Sequence, residues 1–164
     1  ATLKALNKLW NCGLEKQELA TMGLELGADV PVFVWGKSAW AEGVGERLEA
    51  IEIEPCWYLV INPNSIVSTA QIFSQENLTR NSPAIKMADF LAGRAKNDCE
   101  AVTRNLHPEV NEALNWLDQF SEARMTGTGS AVFCKFENEA AAQAVFAKRP
   151  SNLNGFVARG INSL

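Results

Sequence analysis

The chain has 164 residues, of which 47% are hydrophobic and 21% charged, so it is long enough to bury a substantial core. Its formal net charge of −4 argues against a broad nucleic-acid surface, which needs clustered Lys and Arg, although backbone N–H groups could still hold a small anion. No apolar run reaches spanning length and no basic start precedes a hydrophobic block, so we expect a soluble, cytoplasmic protein with neither a membrane nor a nucleic-acid partner.

The four cysteines lie far apart in the chain, with no CxxC pair and no neighbouring His. Metal sites built from Cys and His need close spacing, so we expect no metal ion to be bound by them. We expect free, buried thiols in a reducing compartment; the cysteines are Cys12, Cys56, Cys99 and Cys134.

The opening segment has apolar residues at helical spacing but no capping residue ahead of them. It predicts a helix that runs to about Cys12, and the missing cap leads us to expect that the natural chain begins earlier. A second helix is predicted from Leu14 to Leu26, with Gly27 as its end.

Asp29 is the only charged residue in the stretch LGADVPVFVWG, residues 26–36. Because Pro31 suits the first turn of a short helix, Asp29 is predicted first as the N-cap of that helix. Alternatively, it forms half of a buried ion pair, or it acts as a general base on a hydroxyl, as Asp does in many phosphoryl transfers.

Residues 38–53 alternate between apolar and polar side chains, with a turn at Gly43 and Gly45. This pattern is typical of two strands joined as a hairpin. Glu42 and Glu46 flank the two glycines. A solvated hairpin is the simpler explanation of these carboxylates, and nothing in the pattern supports them as metal ligands.

From residue 56 the pattern becomes strand, helices, strand, strand, helix, strand. This order predicts an α+β fold with the split βαβ arrangement of ferredoxin-like domains. In one of the helices, an apolar stripe is formed by Val110, Leu114 and Leu117. The domain boundary is expected near residues 53–55, which divides the chain into residues 1–54 and 55–164.

Two further segments carry groups suited to a ligand. In MTGTGSAVF, residues 125–133, glycines expose backbone N–H groups and hydroxyls add donors, but a tight hairpin turn explains the same pattern and is slightly favoured. Thr69 and Phe73 share one helical face, where Phe73 suits either the core or a surface that stacks on a base. His107 precedes Pro108 and is interpreted as a helix-start residue, not a catalyst.

Four segments, in this order and spacing, resemble the GHMP kinase superfamily over essentially the whole chain; they are LGADVPVFVWGKSAWAEGVGE, WYLVINPN, KNDCE and MTGTGSAVF. The resemblance implies that residues 1–54 are the C-terminal portion of the catalytic, ATP-binding domain and residues 55–164 the ferredoxin-like C-terminal domain. It implies that Asp29 is the catalytic carboxylate and that Thr69 and Phe73 bind substrate, Phe73 beside a cytosine ring. It also implies a glycine loop near the phosphates, formed by Thr126, Gly127, Thr128, Gly129 and Ser130.

The resemblance further implies a small-molecule kinase that uses ATP and Mg²⁺ to phosphorylate the 2-hydroxyl of a cytidine-diphosphate-linked methylerythritol in non-mevalonate isoprenoid biosynthesis. We expect a monomer or a weak homodimer. The family's ATP loop has no counterpart in these residues, so we expect the chain alone to be inactive. Two alternatives stay open: another small-molecule kinase of the superfamily, and a non-catalytic ligand-binding module built on the ferredoxin-like half.

Overall fold

The computed structural model describes residues 1–163 and consists of two compact units. The first unit contains residues 1–55 together with those from Ile161 onward, and the second contains residues 56–160. Within the described residues, no helix is long and apolar enough to cross a membrane.

Three helices and a two-stranded antiparallel hairpin make up the first unit: α1 (Thr2–Leu9), α2 (Lys16–Leu26), α3 (Val30–Trp35), β1 (Ala39–Glu42) and β2 (Arg47–Ala50). The first helix is shorter than predicted, because the chain leaves it through Asn11 and Gly13, both of which have positive φ. The second begins with a capping box between Glu15 and Glu18 and ends at Gly27, as predicted.

Residues near the C-terminus complete the first unit. Asn162 Oδ1 accepts the Ile53 N–H at 3.0 Å, and Asn162 Nδ2 donates to the Ile53 carbonyl at 2.8 Å. The Asn162 carbonyl accepts the Ser38 N–H at 2.9 Å, and Ser163 forms a β-bridge with Lys37. Because one amide side chain pairs both backbone groups of a residue, this segment is held to the unit like a short strand.

The second unit contains four strands and five helices: β3 (Trp57–Asn62), α4 (Thr69–Phe73), α5 (Met87–Leu91), α6 (Asp98–Leu106), α7 (Pro108–Leu117), β4 (Ala123–Met125), β5 (Val132–Phe136), α8 (Glu139–Phe146) and β6 (Asn154–Arg159). The strands form one sheet in the order β4-β5-β3-β6, and every neighbouring pair is antiparallel. The unit's first strand therefore lies between its third and fourth, the order of a ferredoxin-like sheet. This confirms the predicted α+β fold.

The core of the second unit lies between the sheet and its helices. The predicted stripe of α7 is fully buried at Val110, Leu114 and Leu117, and the sheet contributes Leu59 and Ile61 to the same cluster. Burying a side chain of this size contributes roughly 1.5–3 kcal/mol to folding.

All four cysteines are free, as predicted, but they are not all buried. Cys12 is exposed because it follows the end of α1 in a loop, whereas Cys134 is buried in β5. Burial raises the pKa of the Cys134 thiol to about 11.

Candidate active site

Asp29 lies at the N-cap position of α3, but its side chain accepts no hydrogen bond from that helix. The reason is its backbone, with φ −85° and ψ −12°, because a capping side chain reaches the first turn from an extended backbone. Asn97 and Asn138 cap α6 and α8 from extended backbones and do accept such bonds. The predicted side-chain cap at Asp29 is therefore wrong.

The Asp29 carboxylate is exposed and, within residues 1–163, has neither a hydrogen-bond nor an ion-pair partner. The alternative of a buried ion pair is therefore wrong as well. Both carboxylate oxygens stay available to accept a proton or a hydrogen bond from a ligand. Of the three interpretations of Asp29, the general base is the one that its surroundings leave open.

Glu42 and Glu46 serve the hairpin between β1 and β2. Glu42 Oε1 accepts the Trp40 indole N–H at 3.2 Å, Glu46 Oε2 accepts the Val44 N–H at 2.7 Å, and Arg47 lies 3.9 Å from each carboxylate. The backbone N–H groups of Glu46 itself and of Val44 lower the pKa of the Glu46 carboxyl. Across the described part of the chain, no group of three or more His, Cys, Asp or Glu is arranged to hold a metal ion.

The glycine loop, residues 126–130, joins β4 to β5 as a tight turn. The Thr126 N–H donates to the Ala131 carbonyl at 3.1 Å, and the Gly129 N–H donates to the Thr126 carbonyl at 3.0 Å. Gly127 and Gly129 have φ values of 56° and 93°, which glycine adopts without strain. The predicted hairpin turn is confirmed.

The turn also leaves donors unused. Counting only the residues that the structure describes, no acceptor contacts three of its backbone N–H groups, those of Gly127, Thr128 and Ser130. Successive N–H groups of this kind form a concave anion-binding surface in many proteins. The turn therefore has the donors that a phosphate needs.

Asn97 fixes the glycine loop to the start of α6. Its Nδ2 donates to the carbonyls of Met125 (3.1 Å) and Gly127 (2.8 Å), and its Oδ1 accepts the Cys99 N–H (3.0 Å). One amide thus caps the helix and uses its two N–H groups on the end of β4 and on the loop that follows it.

Thr103, six residues further along α6, makes a second connection to the loop. Its side chain is fully buried, and its Oγ1 donates to the Thr128 carbonyl at 3.0 Å. Gly129 packs against the same residue, because a Cβ there would lie 3.1 Å from Thr103 Cγ2 and 3.0 Å from Met125 Sδ. The loop is therefore held to α6 at three consecutive residues, Gly127, Thr128 and Gly129.

Thr69 and Phe73 are the first and last residues of α4. Thr69 Oγ1 lies 3.0 Å from Thr128 Oγ1, which brings a predicted substrate residue and the glycine loop together. The Phe73 ring is 56% exposed and so is not part of the core, while its carbonyl accepts Arg80 Nη2 at 2.7 Å. The ring is free to present a flat face to a ligand.

His107 begins α7, as predicted. Its Nδ1 lies 3.1 Å from Ser65 Oγ, so the ring ties the segment before α4 to the start of α7. Its Nε2 is buried and has no hydrogen-bond partner among residues 1–163. These contacts give His107 a structural role.

The second unit also contains a cavity of about 600 Å³ whose lining includes Phe90, Lys96, Arg104, Arg124 and Phe133. None of the predicted site residues lines it. Two of the lining arginines are neutralised by neighbouring carboxylates, Arg104 by Glu100 and Arg124 by Glu122. Asn97 lines the cavity and also bonds the Gly127 carbonyl, so the cavity lies beside the glycine loop without including its residues.

The sequence did not reveal Asn97 or Thr103 as site residues. An Asn followed by Asp and, two residues later, Glu at the start of a helix signals an N-cap, so the local role of Asn97 was predictable. Its bonds to a loop some 30 residues away carry no such signal.

Comparison with known proteins gives concordant matches. Residues 76–155 match the family model described as "GHMP kinases C terminal". The chain is 51% identical over 161 residues to the 4-diphosphocytidyl-2-C-methyl-D-erythritol kinase of Nitrosococcus oceani, covering 98% of this chain and 58% of that protein. It is 54% identical over 159 residues to the kinase of the same name from Alkalilimnicola ehrlichii, covering 97% and 55%.

Among solved structures, a crystal structure of 4-(cytidine 5'-diphospho)-2C-methyl-D-erythritol kinase matches with a TM-score of 0.71 and 27% identity. The match covers 95% of this chain and 60% of the other. The chain thus spans somewhat more than half the length of the relatives that it matches.

Proposed function

Because residues 76–155 match the family model for the C-terminal part of GHMP kinases and the chain is similar over almost all its length to 4-diphosphocytidyl-2-C-methyl-D-erythritol kinases, we propose that the enzyme containing it has that activity. In this reaction the γ-phosphoryl group of ATP passes to the 2-hydroxyl of the methylerythritol unit and ADP leaves. The proposal also places the protein in non-mevalonate isoprenoid biosynthesis in the cytoplasm. The similarity of the whole chain to enzymes of one name carries the proposal.

Asp29 is the proposed catalytic carboxylate. One of its oxygens accepts the proton of the substrate 2-hydroxyl while the hydroxyl oxygen forms its bond to the γ-phosphorus and the bond to the bridging β,γ-oxygen breaks. Two observations support this role: the carboxylate is exposed, and within residues 1–163 it is bonded to nothing else.

The glycine loop is the proposed phosphate-binding element. Its unused backbone N–H groups and its hydroxyls suit the charge that develops on phosphoryl oxygens, and a loop held in place by α6 needs little reorganisation to bind them. The residues concerned are Thr126, Gly127, Thr128, Gly129 and Ser130.

Thr69 and Phe73 are the proposed substrate contacts. The Thr69 hydroxyl stands beside the glycine loop, and the exposed ring of Phe73 lies one helical turn away on α4, where it can stack on the cytosine ring. Such stacking supplies orientation without charge.

The proposed domain division is residues 1–54, the C-terminal portion of the ATP-binding domain, and residues 55–164, the ferredoxin-like domain. ATP-dependent transfer uses Mg²⁺ to offset charge on the β- and γ-phosphates. The described residues contain no group of three or more His, Cys, Asp or Glu arranged to hold that ion. A monomer or weak homodimer remains our proposal for the assembly.

Substitution of Asp29 by Asn in a full-length enzyme that contains this chain tests the proposal. The amide cannot accept the proton, so we expect kcat to fall by roughly two or more orders of magnitude with KM changed little. Glu25→Gln is the matched control, because Glu25 is an exposed carboxylate on α2 and its loss changes the net charge equally. Equal kcat values for the two variants would remove Asp29 from the mechanism.

A panel of alcohol substrates separates the proposed activity from that of other GHMP kinases. With the wild-type enzyme and ATP, we expect turnover of 4-diphosphocytidyl-2-C-methyl-D-erythritol to exceed that of homoserine and mevalonate by orders of magnitude. Preference for either of the others would overturn the substrate assignment and leave the kinase class intact.

A further inference from the structure

The Asp29 side chain makes no bond of its own to the described protein, so its position depends on the backbone on either side of it. Within this turn, the Val30 N–H donates to the Gly27 carbonyl at 3.1 Å. The turn is therefore short and closed, and any residue that packs on Ala28 or Val30 also locates the carboxylate between them.

Ala28 packs against the hairpin through Gly45. A Cβ built on Gly45 would overlap the Ala28 carbonyl oxygen, which is backbone and cannot rotate away. Gly45 also has a φ of 104°, a conformation that other residues rarely adopt. The hairpin thus contacts the residue before Asp29 at a point where only glycine fits.

Val30 packs against α2 through Gly23. A Cβ on Gly23 would lie 2.8 Å from Val30 Cγ1 and 3.4 Å from Val30 Cβ, and Gly23 itself is buried. Gly in a helix interior is about 1 kcal/mol less stable than Ala. Gly23 therefore lowers the stability of α2, but it allows Val30 to approach the helix closely. The residue after Asp29 is therefore packed closely on α2 through its side chain.

We propose that Gly45 and Gly23 are positioning residues for the catalytic carboxylate: the missing Cβ at Gly45 lets the hairpin contact the Ala28 carbonyl, and the missing Cβ at Gly23 lets α2 contact the Val30 side chain. This inference rests on the proposed role of Asp29. It assigns a function in the reaction to one glycine of the hairpin, Gly45, and one of α2, Gly23, each acting through a residue next to Asp29.

Gly45→Ala, made in a full-length enzyme that contains this chain, tests the inference. The added methyl displaces the Ala28 carbonyl and with it Asp29, and misplacement by about 1 Å can cost on the order of 100-fold in rate. We expect kcat to fall between 10-fold and 100-fold, while KM for both substrates stays within about twofold.

Gly43→Ala is the matched control. Gly43 lies in the same hairpin with a φ of 70°, but the three atoms nearest to a Cβ there all belong to the carboxylate of Glu46, a flexible side chain. Both substitutions strain the hairpin, whereas only the one at Gly45 displaces the Asp29 turn. We expect kcat of the Gly43→Ala enzyme to stay within about threefold of wild type; an equal loss in both variants would show that hairpin strain, not positioning, is responsible.

A double-mutant cycle with Asp29→Asn distinguishes failure of the inference from failure of the proposed function. If Gly45 acts through Asp29, Gly45→Ala costs little further kcat once the carboxylate is gone. Additive losses would overturn the positioning role, whereas an unchanged kcat in Asp29→Asn alone would overturn the proposed function.

Gly23→Ala keeps the inference testable if Gly45→Ala does not fold. Ala favours the helix but its Cβ crowds Val30 Cγ1, and because these two effects oppose each other we expect the melting temperature to change by only a few degrees while kcat falls at least fivefold. Wild-type kcat in a folded Gly23→Ala enzyme would contradict the role of the α2 contact.

Discussion

The hydroxyl oxygens of Thr69 and Thr128 lie 3.0 Å apart, so the first residue of α4 and the middle of the glycine loop share a hydrogen bond. Two hydroxyl groups carry two protons, and their mutual bond uses one of them. The pair therefore keeps one O–H to donate to a ligand. Either hydroxyl can supply it, depending on where the ligand's acceptor lies.

Loss of either hydroxyl is expected to weaken substrate use. In a full-length enzyme, Thr69→Val and Thr128→Val each remove one hydroxyl at nearly constant volume, and we expect kcat/KM to fall about tenfold, the effect of one hydrogen bond to a charged group. Thr128→Ser is the control, because it keeps the hydroxyl, and it should retain most of the activity. Similar kcat/KM values for the Val and Ser variants would exclude the hydroxyl pair from binding.

The amide of Asn97 is expected to stabilise the glycine loop in a way that a carboxylate cannot. Asn97→Asp keeps the acceptor that caps α6 but replaces the two donors with an oxygen facing the carbonyls of Met125 and Gly127. We expect the free energy of unfolding to fall by roughly 1–3 kcal/mol, measured by urea titration.

Asn138→Asp provides the control for that experiment. Asn138 caps α8 through its Oδ1, which accepts the Ala141 N–H at 2.9 Å, and Asp caps a helix as well as Asn does. Its free energy of unfolding should stay within about 0.5 kcal/mol of wild type. A comparable loss in both variants would mean that the contacts of Asn97 with the loop contribute nothing.

Truncation of a core residue of α7 is expected to be costly. Leu114 is fully buried in the main cluster of the second unit, and Leu114→Ala should lower the free energy of unfolding by about 2–5 kcal/mol, through lost burial and the cavity left behind. Leu91→Ala removes the same atoms from a side chain that is 54% exposed, so its effect should be less than half as large. Urea unfolding of both variants decides this, and equal losses would contradict the packing described for α7.

The cysteines are expected to react in order of their exposure. At pH 8 the Cys134 thiol is both buried and, with a pKa raised to about 11, almost fully protonated, whereas Cys12 is exposed. Iodoacetamide should therefore label Cys12 first and Cys134 last, as followed by peptide mass mapping. In urea all four should be labelled; modification of Cys134 in the folded protein as fast as Cys12 would contradict its burial.

The sequence predicted what depends on local pattern. The order of strands and helices after residue 56 was sufficient to predict the ferredoxin-like fold. The spacing of Val110, Leu114 and Leu117 was sufficient to predict the buried face of α7. Both predictions follow from hydrophobic periodicity, which can be read from residues that are close together in the sequence.

The prediction failed where the role of a residue depends on its backbone geometry or on contacts with residues that are distant in sequence. Residue type alone favoured Asp29 as a cap, but a helical ψ of −12° turns its side chain away from that use. Asn97, Thr103 and Gly45 act on segments that are distant in sequence, through hydrogen bonds or a close approach that no local spacing encodes.

Because Asn162 bonds to Ile53 and Ser38, the first unit is complete only after the second during protein synthesis. All residues of the second unit leave the ribosome before Asn162 does. That unit can therefore fold while the backbone groups of Ser38 and Ile53 in the first unit still lack their partners. A stop codon or proteolytic cut shortly before Ile161 would therefore spare the ferredoxin-like sheet and remove the bonds that tie down the hairpin carrying Gly45.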